Sequence, residues 1–165
     1  MSTFSDLAAA TQAYLSQDHA DRALEALMDG MIYAYGSGVE GDVAEFGTMT
    51  GKSAVILATG LAYNNARYKR KSGGIASKNL LLFDSFQGLP SVESDPVDSQ
   101  SLHVTSGSWG PGTCSGLSAE QLGELVKQIL SPSDQFQIVE GWFDEVLVDY
   151  PATKLSMVHI DCDLY

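Results

Sequence analysis

Four short apolar runs, separated by helical segments or loops, constrain the fold of this chain most strongly. Each run is only a few residues long and rich in aliphatic or aromatic side chains, which is typical of strands buried in a sheet. The runs are DVAEFG at 42–47, LLLF at 80–83, FQIV at 136–139 and LSMVHI at 155–160. Strands that alternate with helices predict an α/β fold with a doubly wound, mostly parallel sheet and right-handed crossovers.

Helical patterns fill the segments between and before these runs. Residues 20–35 place apolar side chains at every third or fourth position, which predicts one buried helix face. Residues 118–130 open with S-A-E-Q, a sequence like a capping box. Further helices are predicted over 5–16, 53–62 and 144–148. We therefore expect an N-terminal helical segment, 1–40, followed by an α/β domain, 41–165.

Composition excludes several classes of partner and compartment. The net charge of -12 argues against nucleic acid or an anionic membrane, because both require a basic surface. No apolar stretch reaches the roughly 20 residues that span a bilayer, and the first residues do not resemble a secretory signal. The two cysteines, Cys114 and Cys162, have neither a disulfide-framework nor a zinc spacing, which predicts a reduced, cytoplasmic compartment.

The stretch EFGTMTG, residues 45–51, joins the first predicted strand to a helix. Its glycines would let the backbone turn tightly and approach a ligand, and the helix N-terminus would offer free N–H groups. The pattern is not the dinucleotide fingerprint, because an acid, Glu45, precedes the glycines and would repel a pyrophosphate. A glycine turn without any ligand is the alternative interpretation.

Two further strand ends carry candidate binding residues. Asp84 follows LLLF, at the place where an acid in a nucleotide-binding sheet accepts hydrogen bonds from ribose hydroxyls. In VEGWFDEVL, Gly141 would permit close approach and Trp142 would offer a flat face to an adenine-like ring. The alternatives are an Asx turn at Asp84 and a core-edge position for Trp142.

The last predicted strand runs into HIDCDLY, residues 159–165. Asp161 and Asp163 share one face of an extended chain, and such a carboxylate pair suits magnesium. A solvated pair, with one Asp capping the next element, is the alternative. His159, within the apolar run, is expected to be a hydrogen-bonded core residue, whereas His103 lies in the long polar loop 86–117 and is freer to act as a base.

Four motifs in this order resemble the macrocin-O-methyltransferase family. They are GDVAEFGTMTGKSA, FDSFQGLP, VEGWFDEVL and HIDCDLY, and the likeness runs from about residue 41 to residue 165. The resemblance implies a Rossmann-like class I methyltransferase domain. It also implies S-adenosylmethionine and magnesium as cofactors, and a hydroxyl of a sugar or another small molecule as the methyl acceptor.

The resemblance also implies a role for each candidate residue. Glu45, Gly47 and Gly51 would line the methionine half of the cofactor, Asp84 and Ser85 would hold the ribose, and Gly141 and Trp142 would lie by the adenine. Thr48 and Ser53, beside the glycine turn, belong to the same cofactor set. Asp161 would lie near the transferred methyl group and share a metal with Asp163. His103 is the candidate general base, in a loop expected to close over the acceptor.

The class I sheet has seven strands, whereas four are predicted here. We therefore expect a piece of a longer protein, with a degenerate but complete product, or an edge strand covered by a second copy, as the alternatives. Two other functions stay open at this point. One is a nicotinamide-dependent oxidoreductase, and the other is a cofactor-binding module without catalysis.

Overall fold

A computed structural model of the chain describes residues 22–68, 76–92 and 97–164. The helices in chain order are α1 (Arg22–Gly36), α2 (Lys52–Tyr68), α3 (Leu102–Thr105), α4 (Ala119–Ile129) and α5 (Phe143–Val146), with a short 3-10 turn at Asp98–Gln100. The strands are β1 (Asp42–Phe46), β2 (Leu80–Asp84), β3 (Phe136–Glu140) and β4 (Leu155–Ile160). The helix predicted over 5–16 lies outside the described residues.

The four strands form one sheet in the order β3-β2-β1-β4, and every neighbouring pair is parallel. The chain builds outward from β1 to β3 and then crosses to the far side of β1. This reversal confirms the predicted doubly wound α/β sheet. It also places a crevice beyond the carboxyl ends of β1 and β4, where ligands bind in folds of this kind.

Helices α1, α2 and α4 pack on one face of the sheet and bury the larger part of the core. Its fully buried members include Met31, Tyr35, Leu57, Leu61, Leu82 and Leu122. On the other face, Ala44, Leu81 and Phe83 lie under a smaller cover of aromatic and aliphatic side chains around α5. The division at residue 40 remains a prediction, and α1 contributes to the same core as the strands.

The predicted elements differ from the observed ones mainly at α2. The helix was predicted over 53–62, yet it continues to Tyr68. The polar extension is stable because Asn64 and Asn65 are buried and hydrogen bonded. Among the helices described, none is long and apolar enough to cross a membrane.

A polar cluster closes the sheet at the end opposite the crevice. Asn65 accepts hydrogen bonds from the Tyr35 hydroxyl at 2.6 Å and from the Lys78 backbone at 3.0 Å. Its amide donates to the Lys78 carbonyl at 3.0 Å and to Asp134 at 2.9 Å. The Lys78 ammonium donates to the carbonyls of Val39 and Gly41, and burial lowers its pKa. This Asn65 cluster ties α1, α2 and two strand starts together.

The capping box predicted at the start of α4 is present. Ser118 Oγ accepts a hydrogen bond from the Gln121 backbone N–H at 3.2 Å, and Gln121 Oε1 accepts one from the Ser118 N–H at 2.9 Å. Replacing Ser118 with Ala is expected to lower the free energy of unfolding by about 1 kcal/mol, because the cap is lost. Urea denaturation measures this, and Ser118→Asp, which keeps a capping oxygen, should lose much less. An equal loss in both variants would contradict the capping role.

Candidate functional site

A cavity of about 850 Å³ opens at the carboxyl ends of the strands. This size is within the range of small-molecule and cofactor sites. Most of the residues predicted from the sequence line it: Gly47, Thr48, Ser53, Asp84, Ser85, Gly141, Trp142, Asp161 and Asp163. The fold therefore brings together residues from the ends of all four strands described and from the start of α2.

Gly47 allows the ends of β1, β2 and β4 to converge. Its backbone has φ +87°, and a Cβ there would collide with the carbonyl oxygen of Asp161. Its N–H donates to the Phe83 carbonyl at 2.9 Å, while the Asp161 N–H donates to the Phe46 carbonyl at 2.9 Å. A side chain at position 47 would separate strands that must touch to form the cavity floor.

Asp84 makes its hydrogen bonds to the protein's own loops. One carboxylate oxygen, Oδ2, accepts from the Thr48 N–H at 2.6 Å, the Thr48 hydroxyl at 2.9 Å and the Met49 N–H at 3.2 Å. The other, Oδ1, accepts from the Phe86 N–H at 2.7 Å. Ser85 is likewise engaged within its own turn, with Gln87 and Gly88. The acid of the second strand therefore ties the glycine turn to the tip of β2.

Gly141 and Trp142 follow β3, the edge strand on the side opposite β4, and both line the cavity. The Gly141 N–H donates to the Asp84 carbonyl at 3.0 Å, and its backbone has φ +143°, a conformation that side chains rarely adopt. Trp142 follows as the residue before α5 and is partly buried. Its position lets the indole form one wall of the cavity.

Glu45 and His159 form a pair that the sequence reasoning missed. Glu45 is fully buried, and its Oε1 lies 2.9 Å from His159 Nδ1. Among the described residues, no hydrogen-bond partner reaches its second oxygen, Oε2. The His159 side chain, 23% exposed, lines the cavity, so Glu45 contacts the cavity only through His159. Glu45 on β1 and His159 on β4 are register partners. Their contact depends on this register, which cannot be read from the sequence.

The Glu45 contact should make stability depend on pH. The hydrogen bond to Glu45 raises the pKa of His159, against an opposing effect of burial. The pair therefore stabilises the fold fully below about pH 6.5, the ordinary histidine value, and this stabilisation is lost as the pH rises through the raised pKa. Urea denaturation across pH 5.5–8.5 should show the decline in wild type, and His159→Gln should reduce it. An unchanged decline in His159→Gln would contradict the pairing.

Asp161 and Asp163 lie together at the mouth of the cavity, and both are exposed. Burial raises the pKa of the Asp163 carboxyl, and the charge of Asp161 raises it further. A hydrogen bond from Cys114 and the nearby His103 oppose that rise. In the part of the chain that the structure describes, no three His, Cys, Asp or Glu side chains are arranged to hold a metal.

Besides Glu45, which is buried behind His159, two predicted site residues, His103 and Gly51, do not line the cavity. His103 is exposed and stacks on Trp109 with 4.4 Å between ring centroids, and it does not line the cavity. Gly51, with φ +75°, faces the side chains of Leu117 and Leu122. Gly51 therefore gives α4 room to pack, and its position does not support the predicted cofactor contact. The position of His103, outside the cavity lining, likewise does not support its predicted role as the general base.

The long loop contributes a wall that the sequence did not specify. Leu89 exchanges backbone hydrogen bonds with the other arm of the loop, accepting from Gly112 at 2.9 Å and donating to Thr113 at 2.8 Å. The Leu117 N–H donates to the Met49 carbonyl at 2.9 Å, which fastens the loop to the glycine turn. Leu89, Pro90, Ser91 and Cys114 line the cavity. The described part of the loop is thus anchored at its base.

The comparisons with known proteins agree with this arrangement. The sequence model of the macrocin-O-methyltransferase family (TylF) matches residues 18–165. The chain belongs to the macrocin-O-methyltransferase family. The match includes all four motifs on which the resemblance was based, and it confirms the expected family. Among curated proteins, none matches the chain.

Solved structures show how much of a methyltransferase fold this family member contains. The O-methyltransferase NovP aligns with a TM-score of 0.66 at 23% identity, over 87% of this chain and 54% of NovP. CalS11, a calicheamicin methyltransferase, aligns with a TM-score of 0.62 at 18% identity, over 100% of this chain and 70% of CalS11. The chain therefore has the methyltransferase fold and spans about half the length of NovP.

Proposed function

We propose that this chain carries the cofactor site of an S-adenosylmethionine-dependent O-methyltransferase that acts on a hydroxyl of a sugar or similar small molecule. The observation that carries the proposal is the cavity at the carboxyl ends of the strands, which is lined both by the glycine turn after β1 and by Trp142 after β3. Family membership supports it. NovP and CalS11, methyltransferases with the same fold, support it further.

The shape and polarity of the cavity fit the two ends of this cofactor. Backbone around Gly47 can approach a ligand closely, and Ser53 lies in the first turn of α2, where N–H groups suit a carboxylate. Trp142 offers its ring to the adenine. The methionine end would therefore lie over the glycine turn and the adenine end against Trp142.

Charge favours a sulfonium cofactor over a dinucleotide. The carboxylates that line the cavity are Asp84, Asp144, Glu145, Asp161 and Asp163, and Lys52 is the lysine among its described lining residues. A pyrophosphate would meet a net negative field here, whereas a cationic sulfonium would be attracted. This is the reason to prefer a methyltransferase to a nicotinamide-dependent oxidoreductase.

For catalysis, the protein has to align the acceptor hydroxyl with the methyl group and keep water away. S-adenosylmethionine supplies an electrophilic methyl group. Asp161 lies at the tip of β4, where its carboxylate can accept a hydrogen bond from the acceptor hydroxyl and orient it. Leu89, Pro90 and Phe143 provide apolar wall around the same space, which limits water.

The donor set at the cavity mouth fits a magnesium ion in part. Asp161 and Asp163 supply two carboxylates, and magnesium commonly binds one or two carboxylates while keeping water and substrate ligands. The negative charge of Asp161 already raises the pKa of Asp163, so a cation would relieve their repulsion. We propose that these two residues hold the ion, which would lower the pKa of the acceptor hydroxyl.

Calorimetric titration with magnesium alone tests the metal proposal. Asp163→Asn should weaken binding about tenfold or more, because one charged ligand is lost. Asn tolerates the left-handed backbone at this position, φ +63°, so the fold should be kept. Asp149→Asn, an exposed aspartate outside the cavity, is the matched control. Equal affinity in wild type and Asp163→Asn would exclude this metal site.

Parallel titrations with S-adenosylhomocysteine and reduced nicotinamide dinucleotide test the cofactor class. We expect one-to-one binding of S-adenosylhomocysteine, weakened about tenfold by Trp142→Ala through loss of the stacking surface. We expect no binding of the dinucleotide. Dinucleotide binding to a folded chain that ignores S-adenosylhomocysteine would overturn the proposal and favour an oxidoreductase.

A further inference from the structure

His159 lines the cavity, and only one of its two ring nitrogens is engaged by the described part of the protein. Its Nδ1 lies 2.9 Å from Glu45 Oε1, and Glu45 is fully buried. Because one ring nitrogen is held by a carboxylate that is fixed in the core, the orientation of the imidazole is set. Within the described residues, no hydrogen bond or ion pair joins His159 Nε2 to the protein. Nε2 is therefore the nitrogen left for a ligand.

The cavity extends to the space between α1 and β4, where His159 lies. Met157, two residues before His159, packs against the core under α1, and a Cβ at Gly30 of α1 would lie 3.0 Å from the Met157 Cε atom. Side chains two apart on a strand share a face of the sheet, so His159 also lies on the α1 side. Leu27, about one turn before Gly30 in α1, lines the same cavity as His159.

The strand order decides which part of the proposed cofactor His159 can contact. Trp142 follows β3, one edge of the sheet, whereas His159 lies on β4, the opposite edge. Three strand spacings, or about 14 Å, separate the two strands. An adenine ring against Trp142 therefore leaves His159 to the other end of the cofactor. The glycine turn, the proposed place of the amino-acid end, follows β1, which is the neighbour of β4.

The chemistry of the amino-acid end suits the Glu45–His159 pair. This end carries an ammonium, which donates hydrogen bonds, and a carboxylate, which accepts them. An imidazole nitrogen can do either, so Nε2 can pair with this end whichever ring nitrogen carries the proton. Behind the ring, Glu45 Oε2 is buried and has no partner among the described residues, so its charge would attract the ammonium. The adenosine half of the cofactor carries no such charge.

We propose that His159, held in place by Glu45, binds the amino-acid end of the cofactor through Nε2. This inference rests on the proposed function, because it assigns one contact of that same site. It predicts that the site uses His159 to distinguish S-adenosylhomocysteine from 5′-methylthioadenosine, a ligand with the same adenosine half but without the amino-acid end.

Calorimetric titrations with these two ligands test the contact. His159→Asn keeps an amide near the position of Nδ1, where it can contact Glu45, but has no group at the position of Nε2. It should weaken binding of S-adenosylhomocysteine about tenfold and leave binding of 5′-methylthioadenosine unchanged, because one hydrogen bond to the amino-acid end is lost. His159→Gln, whose amide can reach the position of Nε2, should recover much of this loss.

Ser156→Ala is the matched control on the same strand. The Ser156 hydroxyl donates to the Asp42 carbonyl and lies outside the cavity, so this variant should bind both ligands as wild type does. If a folded His159→Asn variant loses affinity equally for both ligands, or for neither, the inference is wrong.

Nitrogen NMR of the wild-type imidazole makes the test independent of how any variant folds. The Nε2 signal of His159, assigned by its absence from His159→Asn, should shift when S-adenosylhomocysteine is added and stay in place with 5′-methylthioadenosine. A signal that responds equally to both ligands, or to neither while calorimetry shows that S-adenosylhomocysteine binds, would contradict the contact alone. A folded wild type that binds neither ligand would instead overturn the proposed function on which the inference rests.

Discussion

Replacing Gly47 with Ala is expected to lower the free energy of unfolding by about 3 kcal/mol or more and to abolish binding of S-adenosylhomocysteine. Two effects add at this position. The backbone at φ +87° costs a side-chain-bearing residue about 1–2 kcal/mol. The new methyl group would also collide with the Asp161 carbonyl, and relieving such a clash costs about 1–3 kcal/mol. Urea denaturation measures the stability, and calorimetry measures the binding.

Gly38 provides a matched control for Gly47. Its backbone has φ +68°, yet nothing lies within 4 Å of the position of a Cβ. Gly38→Ala should therefore show the conformational cost, about 1–2 kcal/mol, without the collision. It should also keep ligand binding, because Gly38 lies outside the cavity. Equal losses of stability in the two variants would show that the collision at Gly47 is relieved cheaply.

Replacing Asn65 with Ala is expected to lower the free energy of unfolding by about 3 kcal/mol. The change removes four hydrogen bonds and leaves the Tyr35 hydroxyl and the N–H and carbonyl of Lys78 without this partner. Each buried polar group left unpaired costs about 1–3 kcal/mol, and some will be recovered by relaxation or water. Urea denaturation at neutral pH measures the loss.

The neighbouring Asn64 is the control for this variant. It is equally buried, but its side chain donates to the Gly60 carbonyl within the same helix. Asn64→Ala should therefore lower the free energy of unfolding by about 1 kcal/mol, because the hydrogen bond that it removes lies within α2. If Asn64→Ala destabilises as much as Asn65→Ala, side-chain burial and not the Asn65 cluster accounts for the effect.

The strands could be predicted because each is a short apolar run with turn signals around it. The observed strands differ from the predicted ones by one residue at most. Their parallel pairing followed from the helices between them, and the capping box at Ser118 followed from local chemistry alone. These features depend on residues that are close in sequence, and they can therefore be predicted from a single sequence.

The part of the site that could be predicted follows from one rule, that the carboxyl ends of parallel strands meet at the same edge of a sheet. That rule placed Asp84, Gly141 and Asp161 around one cavity. It could not find the Glu45–His159 pair, because that contact depends on which residues of β1 and β4 stand in register. It also could not tell that Gly51 faces α4, since every glycine after a strand looks alike in sequence.

The loop 86–117 was the least predictable part. Its helical turn and the stacking of His103 on Trp109 depend on local packing that its Gly- and Ser-rich sequence does not specify. The anchoring of Leu117 to Met49 joins two loops through backbone atoms, which leave no signature in the side chains. Backbone contacts between loops therefore cannot be predicted from the sequence.

A crystal structure of the chain with S-adenosylhomocysteine tests the central claim most directly. The proposed function predicts the adenine against Trp142 and the amino-acid end over Gly47, within the cavity at the β1/β4 crevice. Ligand density elsewhere on the molecule, or a cavity left empty in crystals of a chain that binds the ligand in solution, would contradict the account.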